Sequence, residues 1–163
     1  MWQKAGGWRR LDPKQVHVWR AGWGAVALAL VVLVAGAEAI VRTADGAWPL
    51  PLGVAPLLAV LLVAPVVWRL PRLAFDRWRY ELAETTLELR RGVLVHTHTV
   101  IPYFRVQHID ITRSPMERAL GLSQLVVRTA AASTDATIPG VAAADADELR
   151  RVILSRTGRG DAV

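Results

Sequence analysis

Residues 21–68 read AGWGAVALALVVLVAGAEAIVRTADGAWPLPLGVAPLLAVLLVAPVVW, and this stretch decides the architecture. Residues 21–37 hold no ionisable group, and at 1.5 Å per residue they make about 25 Å of helix, the short end of a membrane-spanning length. Residues 46–68, bounded by Asp45 and Arg69, make about 34 Å as an ideal helix. Pro49, Pro51, Pro56 and Pro65 shorten or kink that run, and the first two belong at its start, leaving 50–67 as its core. Trp19 and Trp23 mark one edge of the first run, and Trp48 and Trp68 mark the two edges of the second, the level where amphipathic rings settle. The reading is a transmembrane hairpin over 21–70, with helices at about 21–40 and 48–68.

The connection between the runs, 39–46, is short, so both ends of the hairpin emerge on one side. The leading flank carries Lys4, Arg9, Arg10, Lys14 and Arg20, and the trailing flank carries Arg69, Arg72, Arg77 and Arg79, while the connection has only Arg42. The positive-inside rule then puts both termini in the cytoplasm. A cleavable signal peptide, suggested by Ala37-Glu38-Ala39, would need an unusually long leader. Glu38 stands four residues before Arg42, the spacing of an intrahelical ion pair at the interface rather than of a proton relay.

Composition agrees with this class. The chain has 163 residues, 53% of them hydrophobic, a formal net charge of +6 and no cysteine, which excludes a disulfide framework and thiolate metal sites. The basic residues flank the apolar runs, as they do in proteins at a membrane surface.

After Arg72 the pattern changes to alternation with turn signals, the mark of strands. Tyr80 and Leu82 alternate with Arg79 and Glu81, and Leu87 and Leu89 with Thr86, Glu88 and Arg90. Arg91-Gly92 reads as a tight turn, 93–101 as a longer strand, Pro102-Tyr103-Phe104 as a second turn and 105–112 as the next strand, giving an antiparallel meander. Ser114, Pro115 and Glu117 spell a capping box opening a short helix that Gly121 ends. A hairpin follows over 125–129 and 134–138, turning at 130–133, and Pro139-Gly140 breaks the pattern. A final helix has Asp145, Asp147 and Glu148 in its first turns, Arg150, Arg151 and Arg156 toward its end, and Leu149, Val152 and Ile153 as an apolar stripe against the sheet.

Several motifs in order carry a family resemblance. They are Leu11-Asp12-Pro13, Arg77-Trp78-Arg79-Tyr80-Glu81-Leu82, Leu89-Arg90-Arg91-Gly92-Val93, Val100-Ile101-Pro102, Arg105-Val106-Gln107-His108-Ile109-Asp110-Ile111, Pro115-Met116-Glu117-Arg118, Leu120-Gly121-Leu122 and Ile138-Pro139-Gly140. Through them nearly the whole chain resembles the YdbS-like bacterial membrane proteins with a pleckstrin-homology-like (PH-like) domain. The resemblance implies an α+β membrane protein in which a PH-like split β-barrel with a C-terminal capping helix follows the hairpin. It divides the chain into a cytoplasmic segment 1–20, the hairpin, a cytoplasmic PH-like domain 72–157 and a flexible tail 158–163. It also implies the bacterial cytoplasmic (inner) membrane, multi-pass. His96-Thr97-His98 departs from the basic residues expected there.

No G-x-S-x-G, P-loop, H-E-x-x-H or dinucleotide turn is present, so the reading is not an enzyme, and it implies no cofactor. If Pro102-Tyr103-Phe104 closes a hairpin pairing Ile101 with Arg105, then His98 faces His108 and His96 faces Asp110, a four-residue patch with metal-ligand chemistry. A one-residue slip dissolves it, so solvated histidines and no metal are the expectation. Arg69, Arg72, Arg77, Arg79, Arg90 and Arg91 are the candidate contacts to anionic lipid, though topology alone also explains the first four. Nucleic acid is disfavoured because the domain's basic residues are not interleaved with aromatics. The expected partners are membrane lipids and another membrane protein or a second copy. The leading expectation is a membrane-anchored module that recruits or assembles with membrane proteins, and the alternative is recognition or handling of anionic headgroups.

Overall fold

A computed structural model describes residues 7–44, 49–130 and 135–157. They form two compact units, Val16–Leu73 and a second that joins Met1–Gln15 to Ala74–Val163.

The helical unit is built on α1 (Gln15–Thr43) and α2 (Val54–Arg77), both long and apolar enough to cross a membrane. Helix α1 begins earlier than residue 21 because Asp12 starts it: its carboxylate accepts from the Lys14 N–H (2.8 Å) and its carbonyl from the Gln15 N–H (3.0 Å). Helix α2 begins later than residue 48, at Val54, whose N–H donates to the Pro51 carbonyl (3.1 Å) just after Gly53 at φ 81°. Trp48 lies outside the described residues. Val26, Leu28, Leu33 and Leu62 point outward with more than half their surface exposed, as side chains that meet lipid must.

Each end of the hairpin is tied by a cation. At one, Arg20 donates to the Trp68 carbonyl (3.1 Å) and lies 4.2 Å from the centre of the Trp68 ring. At the other, buried Glu38 accepts from Arg42 Nε (3.1 Å), Arg42 Nη2 (3.0 Å) and the Gly53 N–H (3.0 Å), while Arg42 Nη2 also donates to the Leu50 carbonyl (2.6 Å). The ion pair read from the spacing is therefore also the clasp of the connection. Glu38→Ala is expected to cost about 2 kcal/mol, since it strands a cation and a backbone donor. Thermal melts of the full chain in nanodiscs check this, and an unchanged midpoint would remove the clasp from the account.

The other unit holds β1 (Arg79–Leu82), β2 (Thr86–Arg91), β3 (Thr97–Pro102), β4 (Val106–Thr112), α3 (Pro115–Leu120), β5 (Leu122–Thr129), β6 (Ala136–Ala142) and α4 (Ala146–Thr157). Alternation buries Tyr80, Leu82, Leu87 and Leu89 on one face of the first sheet, with Tyr80 opposite Leu89 and Leu82 opposite Leu87. Ser114 and Glu117 form the reciprocal capping box, and Gly121 caps α3 at φ 70°. Under α4, Ala146, Leu149 and Ile153 are fully buried.

Four features differ from the sequence reading. The strands make two three-stranded sheets, β1-β2-β3 and β4-β5-β6, which do not close into a barrel. A 3-10 turn at Tyr103–Arg105 carries the chain from one sheet to the other, so β3 and β4 do not pair as a hairpin. The long strand expected at 93–101 begins only at Thr97, because residues 92–96 turn over Gly92 at φ 123°. Pro139-Gly140 lies within β6 rather than ending the pattern: Ser123 faces Val141 and Leu125 faces Ile138, so β6 has one extra residue there, a β-bulge. The turn expected at 130–133 falls largely outside the described residues, as does the tail 158–163.

The β unit also includes residues 7–15, which the sequence reading groups with the segment ahead of the first span. Arg9 exchanges two backbone hydrogen bonds with Tyr80 (2.7 and 3.1 Å), adding a bridge to the β1 edge. Leu11 is buried, and the Asp12 N–H donates to the Gly140 carbonyl (2.9 Å). Two motifs far apart in the chain, Leu11-Asp12-Pro13 and Ile138-Pro139-Gly140, thus form one clasp.

Candidate functional site

Four of the six arginines singled out in the sequence gather at one end of the first sheet. Arg79 and Arg90 are register partners across β1 and β2, Arg91 follows, and Arg77 donates to the Val93 carbonyl in the turn after β2. Arg90 lies 4.0 Å from the centre of the Trp8 ring, and the rings of Trp8 and His98 have centroids 6.2 Å apart. Trp8 was invisible as a site residue because only the docking of residues 7–15 onto β1 brings it there. Arg69 and Arg72 are exposed on α2 and belong to the helical unit.

The histidines do not converge. His98 Nε2 lies 2.9 Å from Glu88 Oε2 on the first sheet, and His108 Nε2 lies 2.8 Å from Asp110 Oδ1 on the second. The opposition that a Pro102-Tyr103-Phe104 hairpin would have produced does not form, because the 3-10 turn separates β3 from β4. Among the described residues no group of three or more His, Asp or Glu is placed to hold a metal ion. Arg128 donates to Asp110 (3.1 Å), and this hydrogen bond is the main reason the Asp110 carboxyl is held below the usual carboxylate range, with His108 adding to it.

A second feature had no sequence signal. Strand β4 lies at the edge of its sheet, paired only with β5 among the described residues. Beside it runs an open groove of about 520 Å³ between β4 and α4. His108, Asp110 and Ile111 line one wall, and Asp147, Arg150 and Leu154 line the other. Asp147, Arg150 and Leu154 share a helix face by their three- and four-residue spacing. Arg150 is exposed, and Leu154 is 42% exposed, high for a leucine in a folded unit. Edge backbone groups, two partly exposed apolar side chains and charges of both signs make a surface suited to an added extended strand.

Arg156 holds α4 against the first sheet. Its Nη1 donates to the carbonyls of Leu82 (3.0 Å) and Ala83 (2.6 Å) and to the Tyr103 hydroxyl (3.1 Å), which in turn donates to the Ala83 carbonyl (3.1 Å). Burial is the largest influence on Tyr103 and raises its pKa, so the hydroxyl stays a donor. The groove wall is thereby fixed by side chains that do not line it.

The family described as bacterial PH domain matches residues 20–157. The transmembrane protein YdbS of Bacillus subtilis (strain 168) is 31% identical over 154 residues, which cover 92% of this chain and 92% of its own length. No solved structure matches.

Proposed function

The chain belongs to the bacterial PH domain family, and on that premise we propose that it is a non-enzymatic, membrane-anchored module that captures an extended segment of another membrane protein along β4. The observation that carries this reading is the β4 edge, paired only with β5 among the described residues and flanked by the α4 groove. Main-chain bonding to an edge strand supplies affinity, and the side chains of the groove select the partner. Anchoring both proteins in one membrane raises their effective concentration, so a modest groove is sufficient. The basic flanks of the hairpin support the bacterial cytoplasmic membrane, with both termini and the PH-like domain inside.

The test uses the full chain tagged at its C-terminus, crosslinked in cells and purified from native membrane. A membrane-protein partner at near-stoichiometric yield is expected, and Arg150→Glu, an exposed change with little effect on stability, is expected to reduce that yield about tenfold or more by placing like charge beside Asp147 and Asp110. Equal recovery from the variant would overturn the groove as the docking site. A second reading, contact with anionic lipid headgroups, is favoured by the gathering of Arg77, Arg79, Arg90 and Arg91 at one end of the first sheet.

A further inference from the structure

Residues 92–96 join β2 to β3 and read Gly-Val-Leu-Val-His. Turn tips are ordinarily built from polar residues and glycine, yet here Leu94 is 92% exposed and Val95 78% exposed, and both belong to the folded unit rather than to a spanning helix. Their outward aim is built into the backbone. Gly92 holds φ 123°, and a Cβ there would overlap the Val95 carbonyl oxygen, so the turn folds back on a residue that only glycine fills. Arg77 holds it from the other side through the Val93 carbonyl. Exposed Arg91 and His96 flank the apolar pair along the chain, and exposed Arg77 reaches the Val93 carbonyl beside it.

Chain connectivity limits where this tip reaches. Arg77 is the last residue of α2, nine residues beyond Trp68 at the end of the second apolar run, a path of about 14 Å along a helix. The tip is hydrogen-bonded to that residue. An apolar pair with Arg91 beside it in the chain, Arg77 on the adjoining Val93 carbonyl and so short a path to a spanning helix matches the chemistry of the interface, where aliphatic side chains enter the acyl boundary and basic ones meet anionic headgroups.

We infer that Leu94 and Val95 form a wedge that inserts into the bilayer crossed by the chain's own helices. The wedge does not involve the β4 groove. It deepens the headgroup reading by adding an apolar contact, and it predicts insertion even where the lipid is neutral.

The chain has no cysteine, so a single one takes an environment-sensitive fluorophore cleanly. Full-length Leu94→Cys and, as a reference on the exposed side of α4, Arg151→Cys are labelled and placed in nanodiscs of neutral or phosphatidylglycerol-containing lipid, with and without a lipid-borne spin-label quencher. The label at 94 is expected to emit at shorter wavelength than that at 151 and to lose intensity several-fold with the quencher. A label at Val95→Cys is expected to lose that quenching when Leu94→Asp is added. Emission at 94 equal to that at 151 overturns the inference, and so does a blue-shifted label that the lipid quencher does not reach, because the tip is then covered by protein. Equal quenching in neutral and anionic discs supports the wedge while removing the headgroup reading, so the two fail separately.

Discussion

Replacing Gly140 by alanine is expected to destabilise the β unit by about 2–5 kcal/mol, the sum of a left-handed backbone at a residue with a Cβ and of overpacking against a neighbour. Gly140 sits at φ 60° in the β6 bulge, and a Cβ there would lie 2.7 Å from Gln15 Cβ and 2.9 Å from Gln15 Cγ. Gln15 is itself almost fully buried, at the first turn of α1, so it has little room to yield. The Gly140 carbonyl accepts from the Asp12 N–H, and the strain therefore falls on the clasp that docks residues 7–15. Hydrogen exchange on the full chain should show the Asp12 and Tyr80 amides losing protection ahead of the β5 amides. Gln15→Gly in the same chain is expected to recover the overpacking share but not the backbone share. A variant within about 0.5 kcal/mol of the parent, the range of a neutral surface change, would mean that the clasp is not rigid.

Leu149→Ala carries the second large effect, about 2–5 kcal/mol, typical of deleting a buried leucine side chain from a packed interior. Leu149 is fully buried on the inner face of α4, and the groove residues Asp147 and Arg150 stand on either side of it in the chain. A unit of this size should lose about 10 °C or more of melting temperature for such a change. Leu154→Ala separates packing from recognition. That side chain is partly exposed in the groove, so its loss should leave the melting temperature close to the parent's while lowering partner recovery. Equal melting of Leu149→Ala and the parent would contradict the packing of α4, and full partner recovery by Leu154→Ala would contradict the groove.

What was legible in the sequence was local. The spanning helices came from runs of apolar residues, and the Glu38–Arg42 pair from its four-residue spacing. The α3 cap needed only Ser114, Glu117 and Gly121, and the first hairpin needed only the alternation of Tyr80, Leu82, Leu87 and Leu89. Each of these depends on interactions within a few residues, where periodicity and capping chemistry act directly. The basic cluster was half legible, because Arg90 and Arg91 announce themselves but Trp8 beneath Arg90 does not.

The remaining features depend on choices that local sequence leaves open. Pro102-Tyr103-Phe104 is compatible with a hairpin or with a transfer between sheets, and the burial of Tyr103 with its hydroxyl on Arg156 selects the transfer. That choice separates His98 from His108 and leaves β4 as an edge. Pro139-Gly140 reads as a strand breaker, yet the bulge absorbs it because Gly140 meets Gln15, more than a hundred residues away. The sequence by itself determined the class of the protein: two apolar spans, a basic flank and an alternating domain, all set by short-range hydropathy and charge. Tertiary structure alone decided that β4 is an outer strand beside α4, that Leu94 and Val95 lie in an exposed turn rather than in a strand, and that residues 7–15 dock on the β1 edge. Those outcomes turn on competition among long-range pairings, whose loop-closure cost and packing gain cannot be read from any one window of the chain.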